Sequence, residues 1–140
     1  MPNYEFIDHT SDIGVRVFGE TLEDLFKNCA EALFAIILDF KPEKKIKEKV
    51  VLKAESLEEV LITWLNELLS LFYIYKFLPT EYSLILNKKN KLFSLTATIY
   101  GQNFKSNPHR IKTEIKAATY HNLKIEKKDN LYTAEVIFDV

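Results

Sequence analysis

The segment Ser56-Leu57-Glu58-Glu59-Val60-Leu61-Ile62-Thr63-Trp64-Leu65-Asn66-Glu67-Leu68-Leu69-Ser70-Leu71-Phe72-Tyr73-Ile74-Tyr75 reads as a helix from end to end. Ser56 and Glu59 have the spacing of a capping box, in which a hydroxyl takes a free backbone N–H of the first turn. Leu57, Val60, Leu61, Trp64, Leu65, Leu68, Phe72 and Tyr75 then recur at helical spacing as one broad apolar stripe, which ends before Pro79. A second helix is predicted upstream: Thr21 with Asp24 resembles another box, and Leu22, Leu25, Phe26, Cys29, Leu33 and Ile37 carry the stripe to about Leu38. Around these helices the pattern changes to period two. Ile13, Val15 and Val17 alternate with Gly14 and Arg16, and Phe93, Leu95, Ala97 and Ile99 alternate with Ser94, Thr96 and Thr98, as strands with one buried face do. Further strands are expected at 4–7, 49–54, 81–87, 113–119, 122–127 and 131–138, with turns at Asn87–Asn90 and Lys128–Asn130. The order β-β-α-β-α followed by a run of strands predicts an α+β fold: a single domain over residues 1–140, mostly antiparallel sheet, with two helices packed on one face.

Composition removes several functions. The 140 residues, 47% hydrophobic and 13% aromatic, suffice for one packed core. Gly14, Gly19 and Gly101 are the only glycines, so neither a dinucleotide-binding loop nor a P-loop can be written. The single cysteine, Cys29, excludes an internal disulfide or a thiolate cluster, and its place in the first stripe makes it a small buried hydrophobe. The start lacks the features of a signal peptide and no apolar run reaches the ~18 residues of a membrane span; a soluble cytoplasmic protein is expected. Charge is uneven. Residues 1–40 carry two basic residues against eight acids, a balance of −6, and the remainder balances at +5. Between Tyr82 and Thr113 there are six basic residues and no acid, which reads as solvated hairpin ends or as a weak footprint for a polyanion. The charged run Lys41–Lys49 is expected to be an exposed loop.

Three clusters could carry chemistry. Asp8-His9-Thr10-Ser11-Asp12 falls between two strands, where it is either plain turn structure or a presentation of two carboxylates, an imidazole and two hydroxyls. Asp139-Val140 follows an apolar strand and places the Asp139 carboxylate beside the chain-end carboxylate. A hard divalent cation would relieve that repulsion, provided a second strand delivers another acid; otherwise it is a solvated end. In Thr113-Glu114-Ile115-Lys116-Ala117-Ala118-Thr119-Tyr120-His121, a strand would put Glu114 and Lys116 on one face as an ordinary ion pair, with His121 at its end. His109 and His121 are too few for a zinc site.

Taken together, Tyr4–Gly14 with its D-H-T-x-D opening, Gly19–Phe26, the E-I-K-A-x-T-Y-H stretch and the terminal Phe138-Asp139-Val140 resemble the archease family over nearly the whole chain. Departures are mild: Ser11 stands where the family commonly has Ala, and Asn122 where Gly or a similar small residue is frequent. The resemblance implies an α+β domain of the strand-helix-strand-strand type. It implies a non-enzymatic cofactor of the tRNA-splicing RNA ligase of the RtcB type, one that promotes GTP-dependent guanylylation of the ligase and multiple turnover. It further implies a divalent cation held by Asp12, Asp139 and a main-chain oxygen of Val140; oxygen ligands of flexible geometry favour Ca²⁺ over Zn²⁺ for that ion. Lys116, His121, Asp8 and His9 are the candidates for contact with the ligase. RNA contact is expected to be indirect or weak, with no membrane involvement. Two rival readings remain: a metal-dependent phosphoester hydrolase using Asp12 and Asp139, and an RNA-binding module built on the basic 82–113 stretch.

Overall fold

Both predicted caps form. Thr21 Oγ1 accepts the Asp24 N–H at 3.0 Å and Ser56 Oγ accepts that of Glu59 at 3.1 Å, opening α1 (Leu22–Ile37) and α2 (Leu57–Tyr75). The structure is a computed structural model that describes residues 2–7, 11–104 and 111–140. Its strands are β1 (Tyr4–Ile7), β2 (Ile13–Gly19), β3 (Ile46–Ala54), β4 (Phe77–Lys89), β5 (Leu92–Asn103), β6 (Ala117–Thr119), β7 (Ile125–Lys128) and β8 (Leu131–Asp139). The fold is α+β with antiparallel pairing, as the sequence predicts, and the strands divide between two sheets. The first has the order β1-β2-β8-β6, with β7 also paired to β8; the second has the order β3-β5-β4.

Each sheet lays one face on the helices. Val15, Val17, Val136 and Phe138 from the first sheet, and Leu95, Ala97 and Ile99 from the second, are fully buried, as are Phe26, Leu33, Trp64 and Leu68 of the helical stripes. Trp64 ties these layers together. Its Nε1–H donates to the Phe26 carbonyl of α1 at 3.1 Å, and its ring meets Tyr82 of β4 edge-on with centroids 5.9 Å apart. A buried indole N–H left unpaired would cost more than the bond contributes, so this contact fixes how α2 lies on α1.

Four strand boundaries differ from expectation: β4 runs from Phe77 to Lys89 rather than over 81–87, which confines the expected Asn87–Asn90 turn to its end, and the other three have a local reason. The predicted strand at 113–119 begins only at Ala117, because the backbone N–H and C=O of Ile115 are both taken by the Tyr73 hydroxyl. The one predicted at 122–127 moves to Ile125–Lys128. A turn intervenes, with the Leu123 N–H donating to the Tyr120 carbonyl at 3.0 Å and Asn122 at φ 55°; Asn adopts this left-handed conformation at little cost, which explains how it can stand where a small residue is usual. Finally, β3 starts at Ile46, inside the run expected to be a loop. Lys47 and Lys49 are exposed and the strand lies at the sheet's edge, where charged side chains are tolerated.

Candidate functional site

The register of the first sheet brings the two predicted acids together. The last ladder pair between β2 and β8 is Ile13 with Phe138, so Asp12 and Asp139 each lie one residue beyond it, at the same end of the sheet. On the other side of β8, β6 meets Asp139 through Ala117, and the Lys116 N–H donates to the Asp139 carbonyl at 2.8 Å. Phe138 is fully buried, and alternation turns the exposed Asp139 to the opposite face, with Asp12 half-buried beside it. An oxygen-only pair with main-chain carbonyls close by has the donor chemistry of a hard cation site. Among the described residues, no group of three or more His, Cys, Asp or Glu side chains is placed to hold a metal.

Gly14 makes this corner compact. A Cβ there would lie 2.7 Å from Ile7 Cγ1 and 3.2 Å from Ile137 Cδ1, so only a residue without a side chain lets these two isoleucines close over β2. Beside the corner, a shallow groove of about 440 Å³ is lined by Phe6, Asp12, Ile13, Ala35 and Lys112, among others.

Lys116 is held from α2. On one side of it, Tyr73 Oη donates to the Ile115 carbonyl at 2.8 Å and accepts the Ile115 N–H at 3.1 Å. On the other, Asn66 Oδ1 accepts the Ala118 N–H at 2.8 Å and Nδ2 donates to the Ala118 carbonyl at 3.3 Å. Burial raises the Tyr73 pKa above its ordinary value, the Ile115 N–H donated to the Tyr73 oxygen opposes this, and the Glu114 charge adds to it, so the hydroxyl stays protonated and able to donate. Lys116 itself is exposed. The expected Glu114–Lys116 ion pair is absent among the described residues. With residues 113–116 outside the strand and clamped at Ile115, the two side chains are not held side by side on a sheet face.

The structure does not bring His121 to this corner. β6 runs from Ala117, opposite Asp139, to Thr119, opposite Ile137, which carries the chain away from the acids. His121 is exposed in the turn that follows, its N–H donating to Thr119 Oγ1 at 3.4 Å. Asp8, His9 and His109 lie outside the described residues. Asn66, Tyr73 and Lys112 were not singled out by the sequence. The signal for the first two was weak: they are seven residues apart in α2 and so share one side of an amphipathic helix.

A small α+β protein with a carboxylate pair at the end of a central strand is the class that fold and site define. The chain matches the Archease protein family (MTH1598/TM1083) over residues 4–140, and it belongs to that family. It is 36% identical to a protein archease of Pyrococcus furiosus, with 100% of both chains covered, and 36% identical to that of Methanosarcina barkeri, covering 98% of this chain and 95% of the relative. The solution structure of Methanobacterium thermoautotrophicum protein 1598 superposes with a TM-score of 0.85 at 31% identity, covering 100% of both chains. The crystal structure of "an archease, possible chaperone" from Thermotoga maritima shares the fold, with a TM-score of 0.61 at 22% identity over 96% of this chain and 94% of that one.

Proposed function

We propose that this protein is a cytoplasmic, non-enzymatic activator of an RNA ligase of the RtcB type, one that promotes guanylylation of the ligase from GTP and its repeated turnover. The observation that carries the reading is the alignment, at one end of the first sheet, of Asp12, Asp139 and the clamped Lys116. Asp12, Asp139 and the Val140 main-chain oxygen would hold a divalent cation, Ca²⁺, whose charge lets an acidic corner approach a nucleotide-loaded site. Lys116 supplies a compact cation for a carboxylate or phosphate of the partner. Asp8 and His9, and His121 beyond β6, are further contact candidates. The Thermotoga relative is called a possible chaperone, which fits a protein that acts on another protein.

Attachment of labelled GTP to the ligase tests this. Asp12→Asn and Asp139→Asn should each lose both calorimetric Ca²⁺ binding and stimulation of guanylylation. Lys116→Ala should weaken stimulation at limiting concentration and recover it at saturation. Wild-type stimulation by both Asp variants would refute the role of the corner, and phosphoester hydrolysis by the protein alone would favour the hydrolase reading.

A further inference from the structure

The second sheet has a face that no described element covers. In β5, Leu95, Ala97 and Ile99 are fully buried toward the helices, whereas the alternate residues Ser94, Thr96, Thr98 and Tyr100 are only half-buried. The register arranges their neighbours in rows: Lys47–Tyr100–Glu81, Lys49–Thr98–Ser83, Val51–Thr96–Ile85 and Lys53–Ser94–Asn87, followed by Leu92–Lys89. The single acid in these rows, Glu81, is paired with Lys44 at 3.2 Å. Lys47, Lys49, Lys53 and Lys89 form no ion pair among the described residues. The face is therefore a cationic strip along β3 beside a row of hydroxyls on β5.

We propose that this face binds the phosphodiester backbone of a single-stranded nucleic acid. Residues two apart on a strand are about 6.6 Å apart, so Lys47 and Lys49 present ammonium groups at a step that an extended single strand can follow. Protein interface cores are depleted in Lys and Ser and enriched in aromatic residues. Phosphate and sugar contacts, by contrast, come from Lys, Ser, Thr and Asn side chains, which is the composition found here. Exposed Val51 and Ile85 are the only aliphatics in the middle rows, too few for a protein-docking core. The one ring, Tyr100, already carries the Lys44 ammonium 4.2 Å from its centroid, so base stacking is not the main contact and binding tolerates any sequence. The proposal is separate from ligase activation, since none of these lysines belongs to the Asp12–Asp139 corner.

Fluorescence anisotropy of the full chain with labelled oligouridylate, with the deoxy strand in parallel, tests the proposal as salt is varied. Four phosphate contacts predict a log–log salt slope of about −2.8, or about fifty-fold weaker binding at 200 mM than at 50 mM. Lys47→Gln/Lys49→Gln/Lys53→Gln should reduce the slope to about −0.7 without changing circular dichroism or ligase guanylylation. Equal binding of both strands leaves the backbone as the ligand, and tighter binding of the ribo strand adds the 2′-hydroxyl to the contacts of Ser94, Thr96 and Thr98. Absence of salt-dependent binding by the wild type would overturn the proposal, leaving the lysines as guards of an open sheet edge. Equally tight binding of polyglutamate, lost in the same variant, would overturn it in favour of an acidic protein.

Discussion

Replacing Asn66 by Ala tests whether the Lys116 segment is held by α2 rather than by its own strand pairing. Asn66 contacts both backbone groups of Ala118, as a neighbouring strand would, and Ala118 is only 4% exposed. Without the amide, water has little access to replace either bond. Two hydrogen bonds at about 0.5–1.5 kcal/mol each, with the added cost of buried groups left unpaired, give a loss of about 2 kcal/mol. With a urea m-value of roughly 2 kcal/mol/M, the denaturation midpoint should fall by about 1 M. Hydrogen exchange should show the Ala118 amide losing protection well below the global unfolding free energy. Asn66→Leu separates bonding from packing: it keeps the volume, so a loss from hydrogen bonds predicts that it is no more stable than Asn66→Ala. A midpoint within about 0.2 M of wild type, an unchanged Ala118 amide, or rescue by Leu would refute the argument.

Cys29 is fully buried and desolvation holds its thiol pKa far above the ordinary range, so a thiol-reactive disulfide reagent should leave the folded protein unmodified and react at one site per chain in urea. The unfolded thiol ionises near pH 8.5 while the folded one stays protonated; the folded state then holds more protons, and stability should fall as pH rises above about 8.5, less steeply in Cys29→Ala. A Cβ at Gly101 would run into the Leu78 carbonyl oxygen where β4 and β5 pair beside the Pro79 irregularity. Gly101→Ala should therefore cost about 1–3 kcal/mol, seen as a melting temperature lowered by several degrees, and an unchanged melting temperature would show that the strands yield there.

The parts of the fold that were legible are those governed by local chemistry. The caps at Thr21 and Ser56, the two stripes and the left-handed turn at Asp129 and Asn130 follow from near neighbours in the sequence. The division into two sheets was not legible, because it is settled by which strands β8 and β5 choose as neighbours, and alternation alone is silent on partners. The same holds for the site. Asp12 and Asp139 could be named from the sequence, but their alignment depends on β2 and β8 pairing across more than a hundred residues. Asn66 and Tyr73 escaped notice because a polar residue in an amphipathic helix is normally solvated; only the position of the 115–118 backbone turns them into clamps.

The unequal charge of the two halves of the sequence does not simply follow the two sheets. β1 and β2 carry only Glu5 and Arg16, so the −6 of residues 1–40 comes from outside these strands, and β6, β7 and β8 of the first sheet come from the basic remainder. The second sheet is the lysine-rich one, with Lys47, Lys49 and Lys53 on β3 and Lys88 and Lys89 on β4. A strand end normally frays, yet β8 ends between β2, which pairs with it up to Phe138, and β6, which pairs with it through Asp139, and β6 is in turn secured by Asn66. This bracing holds the end of β8 that carries Asp139. It also couples the corner to α2: loosening the Asn66 clamp frees the backbone that carries Lys116 and bonds the Asp139 carbonyl. Asn66→Ala should accordingly weaken the Ca²⁺ binding proposed for Asp12 and Asp139 although it touches neither, and calorimetry giving the wild-type affinity for Ca²⁺ in that variant would show that the corner is held by β2 and β8 alone.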